Sequence, residues 1–180
     1  MIRQRRLVMR STTAVVLILI SYSSVAAEQV PFGNSLGTQI INYHRHRPMI
    51  ATSGYIAPGA FGELKKHGFK TVLDLRTEAE GVREEAKIAE QAGLVYHNIP
   101  IGKEWPTDNV FRRFKELVEN PDNLPILIHC ASANRVGMVW AEYEIRNGKD
   151  FDAAIVEGRT IGMREARETQ LIKSHSRLSE

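Results

Sequence analysis

Between Lys70 and Ile161 the chain alternates short apolar runs with longer segments whose apolar residues recur every three or four positions, the pattern of strands separated by helices. Lys70-Thr71-Val72-Leu73-Asp74-Leu75 is rich in β-branched and apolar residues and predicts one strand. Leu94-Val95-Tyr96-His97-Asn98-Ile99, closed by Pro100, predicts another. Leu124-Pro125-Ile126-Leu127-Ile128-His129 is apolar almost throughout, as expected of a strand covered on both faces of a parallel sheet. Residues 79–92 carry Val82, Ala86, Ile88 and Ala89 on one helical face and stop at Gly93. Residues 108–120 place Val110, Phe111, Phe114, Leu117 and Val118 on one stripe, with Thr107 as the N-cap. A shorter helix is expected over 58–67, opened by Pro58 and stopped by Gly68, and three more over 136–146, 151–161 and 164–175. This alternation predicts an α/β domain of three layers, with a central, mostly parallel sheet of four to five strands flanked by helices.

The first 27 residues read differently. Arg3, Arg5, Arg6 and Arg10 precede the apolar run Ala14-Val15-Val16-Leu17-Ile18-Leu19-Ile20, and small residues ending in Ala26-Ala27 follow. That order predicts a secretory signal peptide over 1–27, cut after Ala27. The apolar run is far shorter than the roughly 20 residues that span a bilayer. The Arg5-Arg6 pair leaves Sec and twin-arginine export both open. Residues 28–50 are polar and irregular and predict an extended lead-in over the surface, and 51–180 a single domain.

Charge changes the picture only once the leader is removed. Four of the 24 basic residues lie in 1–27 and none of the 21 acidic ones, leaving 20 against 21 in the mature chain. Such a balance gives no reason to expect a nucleic-acid partner. The expected product is exported, in a bacterium to the periplasm, with no stable membrane span after cleavage. At 43% hydrophobic the chain is too apolar for a disordered protein, and 13 Gly in 180 residues exclude a collagen-like one. Its one cysteine, Cys130, closes no intramolecular disulfide and builds no cysteine-rich zinc site. A lone thiol in an oxidising compartment asks for a chemical explanation.

The segment His129-Cys130-Ala131-Ser132-Ala133-Asn134-Arg135-Val136-Gly137 supplies one. A buried strand delivers Cys130 to the carboxyl edge of the sheet, where α/β folds bind ligands. Small side chains at Ala131, Ser132 and Ala133 let the backbone N–H groups from 131 to 136 converge on an anion at a helix N-terminus, a field that favours a nucleophilic thiolate. Arg135 offers a planar fork for two oxygens of an oxyanion. Ala131, Ser132, Ala133, Asn134 and Val136 are therefore candidate substrate-binding positions. His129, Asp74 and Arg76 are candidate supports at the strand ends.

The His-Cys pair, small-residue loop and closing arginine resemble the signature loop of the cysteine-dependent phosphatases, the tyrosine and dual-specificity superfamily. Gly68-Phe69-Lys70-Thr71-Val72-Leu73-Asp74-Leu75-Arg76 with Glu80, then Asn98-Ile99-Pro100-Ile101, resembles a bacterial subgroup: the beta-lactamase-hydrolase-like phosphatases and the phosphatase domain fused to NAD kinase. The likeness spans about 53–163. It implies a phosphatase-like three-layer fold, a phosphocysteine mechanism on a phosphorylated protein or small molecule, and no metal or cofactor. Two positions depart from most of the superfamily. Four residues rather than five separate Cys130 from Arg135, and Val136 stands where Ser or Thr is usual.

Relatives place the general acid shortly after the Ile99-Pro100-Ile101 segment, which here reads Gly102-Lys103-Glu104-Trp105-Pro106-Thr107-Asp108. Asp108 is the candidate general acid and Glu104 its rival. The short ring also leaves open a rhodanese-like sulfurtransferase working through a Cys130 persulfide, or a silent oxyanion-binding module. His44 and His46 lack a third ligand nearby, so no metal site is expected.

Overall fold

The computed structural model describes residues 29–31 and 36–176. Five strands form one sheet in the order β1-β2-β5-β3-β4: β1 (His44–Arg47), β2 (Ile50–Ser53), β3 (Thr71–Asp74), β4 (Val95–Asn98) and β5 (Ile126–His129). β1 is antiparallel to β2, and every other pairing is parallel. β5 therefore enters between two strands that precede it in the chain, with His129 aligned to Ser53 on one side and to Asp74 on the other. That puts Cys130 at the carboxyl edge of the most central strand.

Side-chain alternation along β3 and β5 explains why both strands read as apolar. Leu73, Ile126 and Ile128 face one core, with Phe111, Phe114, Val139 and Trp140. Val72 and Leu127 face the other, with Phe61, Leu64, Phe69 and Ala89. On the first face lie α3 (Asp108–Glu119), α4 (Asn134–Arg146), α5 (Phe151–Ile161) and α6 (Glu165–Ser176); on the second lie α1 (Phe61–Lys66) and α2 (Val82–Gln91). The expected three-layer α/β architecture with a mostly parallel sheet is the one observed.

Three details differ from the sequence reading. The helix expected over 79–92 is broken at Gly81 (φ 88°), so a 3-10 turn at Glu78–Glu80 precedes α2. The helix after the loop begins at Asn134, which brings Arg135 into its first turn. The supposed surface lead-in of 28–50 is partly structural: it supplies β1 and buries Val30, Leu36, Ile40 and Tyr43 in the second core, while Ile40 bridges Ile56. Its polar composition hides these alternate apolar positions. The expected leader, 1–27, lies outside the described residues; among those described, no helix is long and apolar enough to cross a membrane.

The helix carrying Arg135 is held by close backbone contact. A Cβ on Gly137 would sit 2.4 Å from the Gly158 carbonyl oxygen and 2.7 Å from the Met163 nitrogen. Both neighbours are backbone and neither yields cheaply. Gly137→Ala is expected to destabilise the protein by about 2–3 kcal/mol through overpacking, read as a lower denaturant midpoint at unchanged slope.

Candidate active site

The loop after β5 is tied down from outside by its carbonyls. Tyr55 N–H donates to Ala131 O (3.2 Å), and Asn42 Nδ2 donates to Ser132 O (3.3 Å). Ala133 adopts φ 65°, left-handed backbone that an alanine enters only under constraint, and its carbonyl accepts the Gly137 N–H at 2.9 Å to start α4. A side chain in that region costs on the order of 1 kcal/mol. The short ring of six residues from Cys130 to Arg135 closes through this turn. Among the described residues, the backbone N–H groups of Ala131, Ser132, Asn134, Arg135 and Val136 have no protein acceptor. They are the donors of a loop and first helical turn, the arrangement that receives an anion. Cys130 lies buried at its start.

Arg135 closes the ring and is itself held. Its Nη1 and Nη2 donate to the two carboxylate oxygens of Glu80 at 2.7 and 2.6 Å, and Nη1 also donates to Ile101 O at 3.1 Å. The bidentate hydrogen bonds to Arg135 are the main reason Glu80 is held down to about 2, against burial, which opposes them. Glu80 raises the Arg135 pKa in turn, and the Cys130 sulfur adds to that effect. Glu80 is fixed by Thr77, whose N–H and hydroxyl both donate to Glu80 Oε2 at 2.8 Å. The carboxylate that caps a turn is thus also the one that aims the arginine.

Beneath the loop lies a buried polar cluster. Arg76 Nη2 donates to Asp74 Oδ2 (2.7 Å) and Glu85 Oε2 (2.5 Å), Tyr96 hydroxyl donates to Asp74 Oδ2 (2.6 Å), and Arg76 Nη1 reaches Glu80 O (3.3 Å). Burial pushes Asp74 up, but His129, Arg76 and Tyr96 together outweigh it and hold the carboxyl below its usual range. His129 Nε2 sits 2.8 Å from Glu85 Oε1 and 3.6 Å from Asp74 Oδ1, off the line of a well-directed hydrogen bond, so neither nitrogen of its ring has a satisfied partner. Asp74, Glu85 and His129 bring potential ligand atoms within 4.8 Å of one another. Arg76 already bridges both carboxylates, so the cluster is an ion-paired foundation that runs through Glu80 to Arg135.

The sequence thus places Cys130, the 131–136 loop, Arg135, His129, Asp74 and Arg76 together. Asp108 has no hydrogen bond or ion pair to any of these among the described residues. Its carboxylate is 87% exposed and pairs with Arg146 Nη2 at 2.8 Å. With Glu104 and Trp105 it lines a cleft of about 460 Å³ that includes no residue of the 130–136 loop. His44 and His46 are not joined as ligands: their ring centroids are 6.1 Å apart, and His46 packs edge-on against Trp140. Sequence reasoning missed the parts played by Glu80, Glu85 and Tyr96, and missed Arg167 on α6 altogether.

Residues 54–176 match the family described as "DSP-PTPase phosphatase fused to NAD+ Kinase". The chain belongs to this family. The beta-lactamase hydrolase-like proteins of two Xylella fastidiosa strains are 26% identical over 105 residues, 56% of this chain but only 24% of their own length. This family member thus corresponds to about a quarter of those curated relatives. Its fold is shared with TpbA of P. aeruginosa, solved in complex with phosphotyrosine (22% identity, 73% of this chain and 83% of that one, TM-score 0.59). It is shared equally with kinase associated phosphatase (15% identity, 72% and 87%, TM-score 0.60).

Proposed function

We propose that this family member hydrolyses phosphate monoesters, those of phosphotyrosine, phosphoserine or phosphothreonine among them, through a phosphocysteine intermediate. The observation that carries the reading is the row of loop N–H donors that have no acceptor among the described residues, beside Cys130 and an arginine aimed by Glu80. The Cys130 thiolate attacks phosphorus, the S–P bond forms, and the ester P–O bond breaks. The loop amides and Arg135 stabilise the equatorial oxygens as charge develops on them. Water then attacks phosphorus, the S–P bond breaks, and thiolate and phosphate are released. Asp108 is the proposed proton donor to the leaving oxygen, which requires its pair with Arg146 to open. Neither step uses a metal or cofactor.

Purified protein is expected to release phosphate from an aryl phosphate, and Arg135→Ala to lose that release. Thiocyanate formed from thiosulfate and cyanide, with no phosphate released, points instead to a sulfurtransferase. Phosphate bound without turnover points to a silent module. Asp108→Asn is expected to remove the basic limb of the pH–rate profile, where a proton donor must stay protonated, and Glu104→Gln to leave it. Export is part of the same proposal: the intact mass of the mature chain is expected to begin at Glu28.

A further inference from the structure

Three consecutive carbonyls after β4 are gripped by two guanidinium groups. Arg135 Nη1 donates to Ile101 O at 3.1 Å, Arg167 Nη2 to Gly102 O at 2.5 Å, and Arg167 Nη1 to Lys103 O at 3.4 Å. Gln170, one turn along α6, donates to the same Lys103 O at 2.8 Å and accepts from Arg167 Nη1 at 2.9 Å. The residue before α6 is pinned to the loop as well, since Arg164 N–H donates to Asn134 Oδ1 at 2.9 Å. α6 is thereby fixed both to the Cys130 loop and to the segment that Arg135 touches.

The two arginines differ in their counter-charges. Arg135 faces the Glu80 carboxylate, which cancels its formal charge. Arg167 has only carbonyl and amide oxygens as partners; among the described residues no carboxylate faces it. Those oxygens satisfy donors without neutralising the cation, and they leave its Nε–H and one Nη2–H unspent. Arg167 is half-buried, and burial followed by the nearby Arg135 charge lowers its pKa, while the Cys130 sulfur opposes them. It therefore lies in the same field as the nucleophile. A part-buried cation with free donors and no counter-ion is costly unless an anion completes it.

We propose that Arg167 is a second anion-binding residue of the Cys130 site and fits it for phosphate esters whose leaving group carries another phosphate, or a comparable anion, next to the scissile one. This rests on the phosphatase reading above. The scissile phosphate occupies the loop amides and Arg135, and the neighbouring anion takes the unspent donors of Arg167. An uncharged leaving group leaves them to water.

The test uses the full chain with Cys130→Ser, so that nothing turns over, and calorimetry with inorganic phosphate and inorganic pyrophosphate as probes. Pyrophosphate is expected to bind about tenfold more tightly than phosphate, the scale of one charge-assisted contact. Adding Arg167→Met is expected to bring that ratio to about one. Arg167→Gln, which keeps a donor for the carbonyls but no charge, is expected to do the same, and it separates charge from any loss of the loop's anchorage. A ratio that survives both substitutions, or a Cys130→Ser chain that binds both anions alike, overturns the proposal and leaves Arg167 as a clamp on 102–103. If that chain binds neither anion, the phosphatase reading falls with it. Aryl phosphate turnover by the unsubstituted protein reports on that reading separately.

Discussion

Cys130→Ser is expected to lower aryl phosphate turnover by on the order of 10⁴-fold or more, while inorganic phosphate still binds within a few-fold of the unsubstituted protein. The reason is local. A serine hydroxyl occupies nearly the same volume as the thiol at the buried start of the loop, so the amides of 131–136 and the Arg135 fork keep their places. It is not ionised near neutral pH, and among the described residues the nearby carboxylate and imidazole are engaged elsewhere: Glu80 is spent on Arg135, and His129 faces Glu85 beneath the sheet edge. Steady-state turnover and calorimetric binding on one preparation separate the two effects. A variant that retains a tenth of the original rate would sink the phosphocysteine route. Loss of binding with rate would instead mean that the sulfur holds the loop in shape.

How much of this was readable in advance follows from how local each feature is. The apolar run of β5 and the small residues of 131–133 are contiguous, so the chain itself displays a buried strand feeding an anion-binding turn. The amphipathic stripe of α3 is equally local, and Phe111, Phe114 and Val118 are buried as its period requires. Glu80 is different. Thr77 and Glu80 form a capping box, but the same carboxylate meets an arginine 55 positions away. That second duty exists only once β3 and β5 pair and bring the Asp74 and His129 ends level. Arg167 sits on a charged helix of ordinary appearance, and that no carboxylate among the described residues faces it is a property of the packing. Asp108 shows the converse. Its place in a first turn beside Trp105-Pro106 suggests chemistry, yet the folded chain pairs it with Arg146. The left-handed Ala133 gives no sign in the sequence, because alanine is not a residue that announces that backbone.

Arg135→Lys is expected to lower kcat/KM by about 10²–10³-fold, the scale seen when one preorganised donor to a developing oxyanion is removed. Charge alone does not explain so large a loss, since lysine keeps it. The guanidinium spends one edge on both oxygens of Glu80 and on Ile101 O, and this fixes its plane with respect to the loop. An ammonium is a single point with no second edge, so it either pairs with Glu80 or turns to the phosphate. Glu80→Gln tests the same linkage from the other side. It keeps one acceptor, loses the bidentate pair, and is expected to cost about tenfold. The pH dependence follows with its sign. The Arg135 pair holds Glu80 at about 2, below its value of 4.5 when unpaired, so the pair is complete above 4.5 and is lost only as pH falls through about 2. Glu80 therefore contributes no inflection to a rate profile measured between pH 5 and 8. An acidic limb that moves in Glu80→Gln while Arg135→Lys retains its rate within threefold overturns this account of how the fork is aimed.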